Sequence, residues 1–156
     1  MSLEDLERRV RRVEDIEAIR ELKARYCAYC DDGYDADGIA SLFTEDAVWD
    51  GGPLGRCDGR EAIRRFFREA SRRVNFAIHH VMNPTITVDG DRASGRWYLL
   101  QPCTFAEGER AVWMAARYSD EYARVGGDWK FQNVKIDLSF VTPYEEGWAR
   151  TRFAKL

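Results

Sequence analysis

Two adjacent histidines, His79 and His80, are the only histidines in the chain, and they open a segment whose residue pattern predicts a β-strand. Neighbouring strand residues point to opposite faces of a sheet, so one imidazole should face the interior and the other should face away. An imidazole in an apolar pocket is a candidate acid or base near neutral pH. The pair therefore predicts an acid–base site that uses one of the two histidines.

A phenol and a carboxylate near the end of the first predicted helix are candidates to act with this imidazole. Tyr26 and Asp31 are separated by about 140° around a helix, so they can flank one groove. Asp31 lies at the C-terminal end, where the helix dipole disfavours a carboxylate, and it needs a partner. His79 is the natural one, because a carboxylate at one ring nitrogen fixes the tautomer and makes the other nitrogen more basic. The alternative for Asp31 is a solvated acid beside Asp32.

A long helix carries these two residues. Ser2 and Asp5 have the spacing of a capping box, and apolar residues then recur every three or four positions until Gly33 ends the helix. Residues 1–14 carry a sparser apolar stripe than the rest. Two interpretations of 1–14 are open: a helical extension that contacts another subunit, or a frayed terminal helix.

The rest of the chain changes from short helices to strands. Helices are predicted near residues 35–43 and 58–67, with a strand between them, and the pattern is β from residue 76 onward. Three turn signals predict three hairpins that join four long strands: Asp89-Gly90, Glu107-Gly108 and Gly126-Gly127. Such a sheet must twist, and helices must cover one face. We therefore expect one α+β domain over residues 1–156, a strongly curved, mostly antiparallel sheet cupped around helices and enclosing a hydrophobic cavity.

Composition and charge argue against some classes of binding partner. The net charge is −3 with acids and arginines interleaved, which argues against nucleic acid. No apolar run has the length of a membrane span, and the charged first residues do not resemble a secretory signal, so we expect a cytoplasmic protein without a membrane partner. Cys27 and Cys30 have C-x-x-C spacing, but they fall within a helical pattern and no second such pair exists. We expect buried thiols there, with no metal and no disulfide.

Several stretches together carry a family resemblance that spans nearly the whole chain. They are Asp15-Ile-Glu-Ala-Ile-Arg-Glu-Leu-Lys-Ala-Arg-Tyr26, Asp31, Leu42-Phe-Thr-Glu-Asp-Ala, Gly59-Arg-Glu-Ala-Ile, His79-His80 before Asn83-Pro84, Gly95-Arg-Trp-Tyr-Leu99 and Tyr118…Tyr122…Gly-Asp-Trp129. They resemble the SnoaL-like branch of the nuclear-transport-factor-2-like (NTF2-like) superfamily, most closely its bile-acid 7α-dehydratases and more remotely its scytalone dehydratases. This resemblance implies an α+β cone with a deep hydrophobic cavity, a dimer or trimer, and eliminations, isomerisations or cyclisations without a cofactor.

The resemblance also implies which residues act. In the dehydratases a tyrosine and an aspartate late in the first helix work with a histidine before a proline, and the matching positions are Tyr26, Asp31 and His79. His79 is preferred to His80 because its spacing to Pro84 fits the pattern.

Two departures from the dehydratase pattern indicate a different substrate. Gln101 stands where the bile-acid enzymes have an acid, and Ile136-Asp-Leu138 stands where they have a late arginine. The predicted substrate-binding residues are Tyr98, Gln101, Asn83, Trp49 and Trp113.

Two functions are compatible with these residues. One is a lyase, isomerase or cyclase in which His79, oriented by Asp31, removes a proton from a hydrophobic cyclic or polycyclic carbonyl compound while Tyr26 hydrogen-bonds the oxygen. The other is a module that only binds a small molecule or assists assembly, like the small subunits of ring-hydroxylating dioxygenases. Retention of all three polar groups favours catalysis, because a passive apolar pocket has no need to bury them. A homo-oligomer is expected in either case, with dimer and trimer both open.

Overall fold

The computed structural model describes residues 1–155. The helices are α1 (Leu3–Asp31), α2 (Ala36–Ser41) and α3 (Arg60–Arg73). The strands are β1 (Phe43–Asp50), β2 (Arg56–Asp58), β3 (Val74–Ala77), β4 (His80–Asp89), β5 (Arg92–Phe105), β6 (Arg110–Val125) and β7 (Asp128–Pro143). Short 3₁₀ turns occupy Gly52–Leu54 and Glu107–Glu109.

The first helix runs unbroken from its cap to the predicted site. The Ser2 side chain accepts a hydrogen bond from the Asp5 backbone, the Asp5 carboxylate accepts one from Ser2, and the predicted capping box is confirmed. Gly33 follows the helix with φ +65°, a conformation that favours glycine and that turns the chain away. Residues 3–14 therefore belong to the same helix as Tyr26 and Asp31.

The sheet is strongly curled and mixed, and the predicted α+β fold is confirmed. Its order is β2-β1-β7-β6-β5-β3, with β4 also paired to β5. The three predicted hairpins join β4 to β5, β5 to β6 and β6 to β7, all antiparallel, while β1 pairs with β7 in parallel. The short strands β2 and β3 were not predicted, and β4 begins at His80 rather than at His79.

Alternation along the central strands creates two distinct faces. On β5 the odd-numbered residues from Ala93 to Cys103 are inward and the intervening ones point outward. The inward face packs on α1 and α3, and its core contains side chains from both helices and the sheet: Ile19, Leu22, Tyr26, Phe43, Trp49, Ile63, Phe67, Trp97, Tyr118, Phe131 and Val134. Burial of these aromatic and aliphatic side chains is the main force that closes the sheet over the helices.

A buried ion pair crosses this core from α1 to the sheet. The Lys23 ammonium donates to Asp120 at 2.8 Å, and both side chains are at most 1% exposed. The ammonium also lies 3.3 Å from the centroid of the Tyr118 ring, and the Tyr122 hydroxyl donates to the same carboxylate oxygen. These partners offset part of the cost of removing both charges from water.

None of the helices in residues 1–155 combines the length and the apolar composition needed to cross a bilayer.

Candidate active site

A cavity of about 440 Å³ opens between the helices and the inward face of the sheet. Its inner wall is mostly apolar and aromatic, with a few polar groups, and is formed by Tyr26, Tyr34, Trp49, Phe66, Phe67, His79, Leu99, Gln101, Cys103, Met114, Tyr118 and Ile136. A mostly apolar pocket with few convergent polar groups is typical of a small-molecule site.

His79 lines this cavity, and its ring contacts the Asp31 carboxylate, which is not part of the lining. The His79 Nδ1 lies 2.6 Å from the Asp31 carboxylate, and the His79 backbone N–H donates to both carboxylate oxygens at 3.0 and 3.2 Å. The backbone bonds hold the carboxylate in place beside the ring. They also satisfy a negative charge at the C-terminal end of α1, where the helix dipole alone disfavours it.

The geometry fixes the chemistry of the imidazole. An ionised carboxylate can only accept hydrogen bonds, so the Asp31 side chain places a proton on His79 Nδ1 and leaves Nε2 as the nitrogen that can take a proton from a ligand. The His79 side chain is 6% exposed and lines the cavity, whereas His80 is exposed. The two neighbouring histidines therefore occupy opposite environments, as predicted.

Tyr26 lies in the cavity wall with its hydroxyl held by a neighbour. The Trp49 indole N–H donates to the Tyr26 hydroxyl at 3.1 Å. Burial raises the pKa of Tyr26 well above its ordinary value, so the phenol stays protonated and keeps a hydrogen to donate. The indole bond leaves that hydrogen available to an oxygen atom of a ligand.

Tyr34 is a cavity residue that the sequence reasoning missed. It follows Gly33 with φ +57°, uncommon for a residue with a side chain. Its ring stacks on Phe67 with centroids 6.0 Å apart and meets the His79 ring edge-on at 6.2 Å. Burial raises the pKa of Tyr34 far above its ordinary value, so its hydroxyl stays protonated. An aromatic residue directly after the helix-ending glycine was the available signal.

The remaining predicted residues divide between the two faces of the sheet. Trp49 and Gln101 are almost fully buried and line the cavity. Asn83, Tyr98 and Trp113 are not brought to it, because they lie on the outward face around a separate shallow groove. Gln101 and Tyr98 are three apart on one strand, and residues at odd spacing point to opposite faces.

The cysteines behave as buried thiols, and Cys27 and Cys30 lie within α1. Cys103 lines the cavity, and burial raises its pKa to about 11. Within residues 1–155 no group of three or more histidine, cysteine, aspartate or glutamate side chains is arranged to hold a metal ion.

Charged residues gather at the outer end of the cavity. Arg72, Arg73, Glu107 and Arg110 belong to its lining and are all exposed. The cavity therefore passes from a mostly apolar interior that includes His79 to a charged mouth.

Comparison with known sequences finds a matching family model and a related mycobacterial protein. The family model described as SnoaL-like domain matches residues 11–135. An uncharacterised protein of Mycobacterium tuberculosis is 29% identical over 96 residues, 60% of this chain. That match spans 65% of the length of the mycobacterial protein.

Solved structures share the fold over most of the chain. A proposed aromatic ring hydroxylase from Novosphingobium aromaticivorans is 30% identical, with a TM-score of 0.78 over 84% of this chain and 94% of that one. The hexachlorocyclohexane dehydrochlorinase LinA-type3 from Novosphingobium barchaimii is 25% identical, with a TM-score of 0.78 over 93% and 97%. A proposed scytalone dehydratase from N. aromaticivorans is 22% identical, with a TM-score of 0.78 over 85% and 89%, and supports the fold alone.

Proposed function

The chain belongs to the SnoaL-like domain family, and we propose that it is a cofactor-independent lyase or isomerase acting on a hydrophobic cyclic or polycyclic carbonyl compound. Dehydration, isomerisation and cyclisation begin with the same proton transfer and are all within this proposal. The observation that carries it is the 2.6 Å contact of Asp31 with His79, whose ring lines a largely apolar cavity.

In the proposed reaction His79 acts first as a base. Nε2 removes a proton from the carbon next to the carbonyl group, and Asp31 stabilises the imidazolium that forms. Tyr26 donates a hydrogen bond to the carbonyl oxygen as it gains enolate character. For a dehydration, the enolate electrons re-form the carbonyl and make the new carbon–carbon double bond. The β-hydroxyl departs with the proton from Nε2 as water.

The expected rate effects are adequate for an activated proton. A positioned acid or base contributes roughly 10²–10⁴ in rate, and stabilisation of the developing oxyanion contributes a comparable factor. LinA-type3 supports the elimination class, since a dehydrochlorinase removes hydrogen chloride from its substrate.

The test is a screen of cyclic β-hydroxy ketones for loss of water, followed by single substitutions. We expect His79→Ala to reduce turnover about 10²–10⁴-fold, and Asp31→Asn and Tyr26→Phe to reduce it as well. His80→Ala is the matched control, because the adjacent exposed histidine should leave turnover unchanged. Full activity in His79→Ala would refute the assignment.

A second candidate function is that of an assembly or binding subunit. It is supported by the similarity to the proposed aromatic ring hydroxylase and by the aromatic residues on the outward face of the sheet. Co-purification with a larger subunit under native expression would favour it. Activity of the isolated chain would favour the lyase.

We also propose that the chain forms a homo-oligomer. Four apolar side chains on the first half of α1 are exposed in the single chain: Leu3, Leu6, Val10 and Val13. Light scattering after gel filtration should give a dimer or trimer. Deletion of residues 1–14 should weaken the oligomer if this extension forms the contact.

A further inference from the structure

We propose that the mouth of the cavity binds a carboxylate carried by the hydrophobic substrate, so that the substrate is an amphipathic acid. This proposal rests on the proposed function, because it names the chemistry of the molecule that the Asp31–His79 site would transform. The carboxylate would sit among Arg72, Arg73 and Arg110, and the ring system would occupy the apolar interior.

The charge of the mouth is opposite to that of the whole chain. The chain has a net charge of −3, whereas the mouth combines three guanidinium groups with the carboxylate of Glu107. Arg72 pairs with Glu69 at 3.1 Å on the surface of α3, which offsets part of its charge. Arg73 forms no salt bridge within the part of the chain that the structure describes. A positive excess at the entrance of an apolar pocket favours an anionic end on the ligand.

Two of the guanidinium groups lie against aromatic rings of the cavity wall. Arg73 is 5.8 Å from the centroid of Phe66, and Arg110 is 5.7 Å from the centroid of Phe105. A guanidinium on an aromatic face is positioned by its plane and can offer N–H groups to a planar carboxylate. Arg110 also donates to the Lys155 carbonyl at 3.2 Å, which engages one of its N–H groups.

The backbone holds the two sides of the mouth together. The Ala106 N–H donates to the Arg73 carbonyl at 2.8 Å, and Val74 pairs with Phe105. The end of α3 and the β5–β6 turn are thus joined beside the opening. Arg73 and Arg110 come from these two segments, so they flank one entrance.

Because the arginines of the mouth are exposed, the site should prefer an anionic ligand over a neutral one only modestly, and this preference should depend on the salt concentration. Solvent screens the guanidinium groups, so we expect a preference for an anion of about tenfold at low ionic strength, decreasing as salt is added. Glu107 opposes binding of the anion, and its removal should increase the preference.

The experiment uses two matched probes, 4-(1-naphthyl)butyrate and its uncharged primary amide, with binding measured by calorimetry in low salt. The wild-type chain should bind the acid about tenfold more tightly than the amide. Arg73→Gln with Arg110→Gln should reduce this ratio to less than twofold while leaving the affinity for the amide unchanged. Arg68→Gln is the matched control, since it removes the same charge from α3 at an exposed position outside the cavity lining.

The same titrations in His79→Ala separate this inference from the proposed function. The acid preference should persist in that variant even though turnover is lost. Equal affinity for acid and amide in the wild type, or no measurable binding of the acid, would overturn the carboxylate site. Full turnover in His79→Ala would overturn the reaction and would leave the binding preference standing.

Discussion

Two of the charged pairs that link α1 to the rest of the molecule, Lys23–Asp120 and Asp31–His79, differ in their surroundings and therefore in what they can do. Lys23 and Asp120 are sealed in the core, while His79 lines the cavity and the side chain of its partner Asp31 is 30% exposed. Core side chains surround the Lys23–Asp120 pair, so its ammonium and carboxylate are not accessible to a ligand. The cavity pair keeps one ring nitrogen for a ligand. Access to a ligand, rather than the presence of a charged pair, therefore separates a structural pair from a candidate catalytic one.

The burial of Asp120 illustrates the cost of the sealed pair. Burial raises the pKa of this carboxyl above its ordinary value, and the Lys23 charge opposes the shift. Its second oxygen, Oδ1, has no hydrogen-bond partner within residues 1–155. Each of the two buried charges therefore depends on the other to offset the cost of its removal from water.

The largest expected effect follows from breaking the sealed pair. Asp120→Ala leaves the Lys23 ammonium unpaired in the core and should destabilise the fold by about 3–5 kcal/mol. Denaturant unfolding measures the change. Glu121→Ala is the matched control, because the next residue of β6 is exposed and its removal should change stability little.

Replacing both charged residues should distinguish the cost of a single unpaired buried charge from a requirement for the ion pair itself. Lys23→Met with Asp120→Leu removes the desolvation cost together with the attraction, so it should recover most of the lost stability. A double variant as unstable as Asp120→Ala would show that the ion pair itself is needed.

Breaking the Asp31–His79 pair should reduce turnover strongly and stability only slightly. Asp31→Ala removes a partly exposed carboxylate and should cost about 1 kcal/mol or less of stability, measured by the same unfolding experiment. Its turnover should nevertheless fall to a level near that of His79→Ala, and the double variant should be no slower, because residues that act as a unit are not additive. A loss of several kcal/mol would make Asp31 structural.

Two thiols offer a smaller test of access. Burial raises the pKa of both Cys27 and Cys103 to about 11, so about one thiol in 10³ is ionised at pH 8 and alkylation should be slow. The rate should rise about tenfold per pH unit towards that pKa. Because only Cys103 belongs to the cavity lining, saturating 4-(1-naphthyl)butyrate should protect Cys103 and not Cys27 from iodoacetamide, as read by mass spectrometry.

Equal protection of the two cysteines would contradict this placement of the cavity. Rapid alkylation of Cys103 at pH 8 would contradict its burial.

The sequence was sufficient for the elements whose signals are local. The capping box at Ser2, the helix end at Gly33 and the three hairpin turns were all predicted, because each depends on a few neighbouring residues. The strands β2 and β3 were missed because they have only three and four residues and gain their pairing from distant segments. Short edge segments carry too few residues to show a period.

One contact of the candidate site, between Asp31 and His79, was predicted because a physical requirement linked the two residues. An acid at the C-terminal end of a helix needs a partner, and the structure brings Asp31 to His79. Because strand residues alternate between the two faces, placing Gln101 inside could have excluded Tyr98 from the predicted substrate-binding residues. Tyr34 was missed although its place directly after Gly33 was a signal. The arginines of the mouth could not be placed, because they reach the cavity only through the packing of α3 and the turn between β5 and β6.

Nitrogen-15 NMR of the two histidine rings, at a pH where both are neutral, tests most directly whether Asp31 holds His79 as a base facing the cavity. We expect His79 to carry its proton on Nδ1, His80 to show the Nε2–H form usual in water, and Asp31→Ala to abolish the difference. Both rings in the Nε2–H form in the wild type would contradict it.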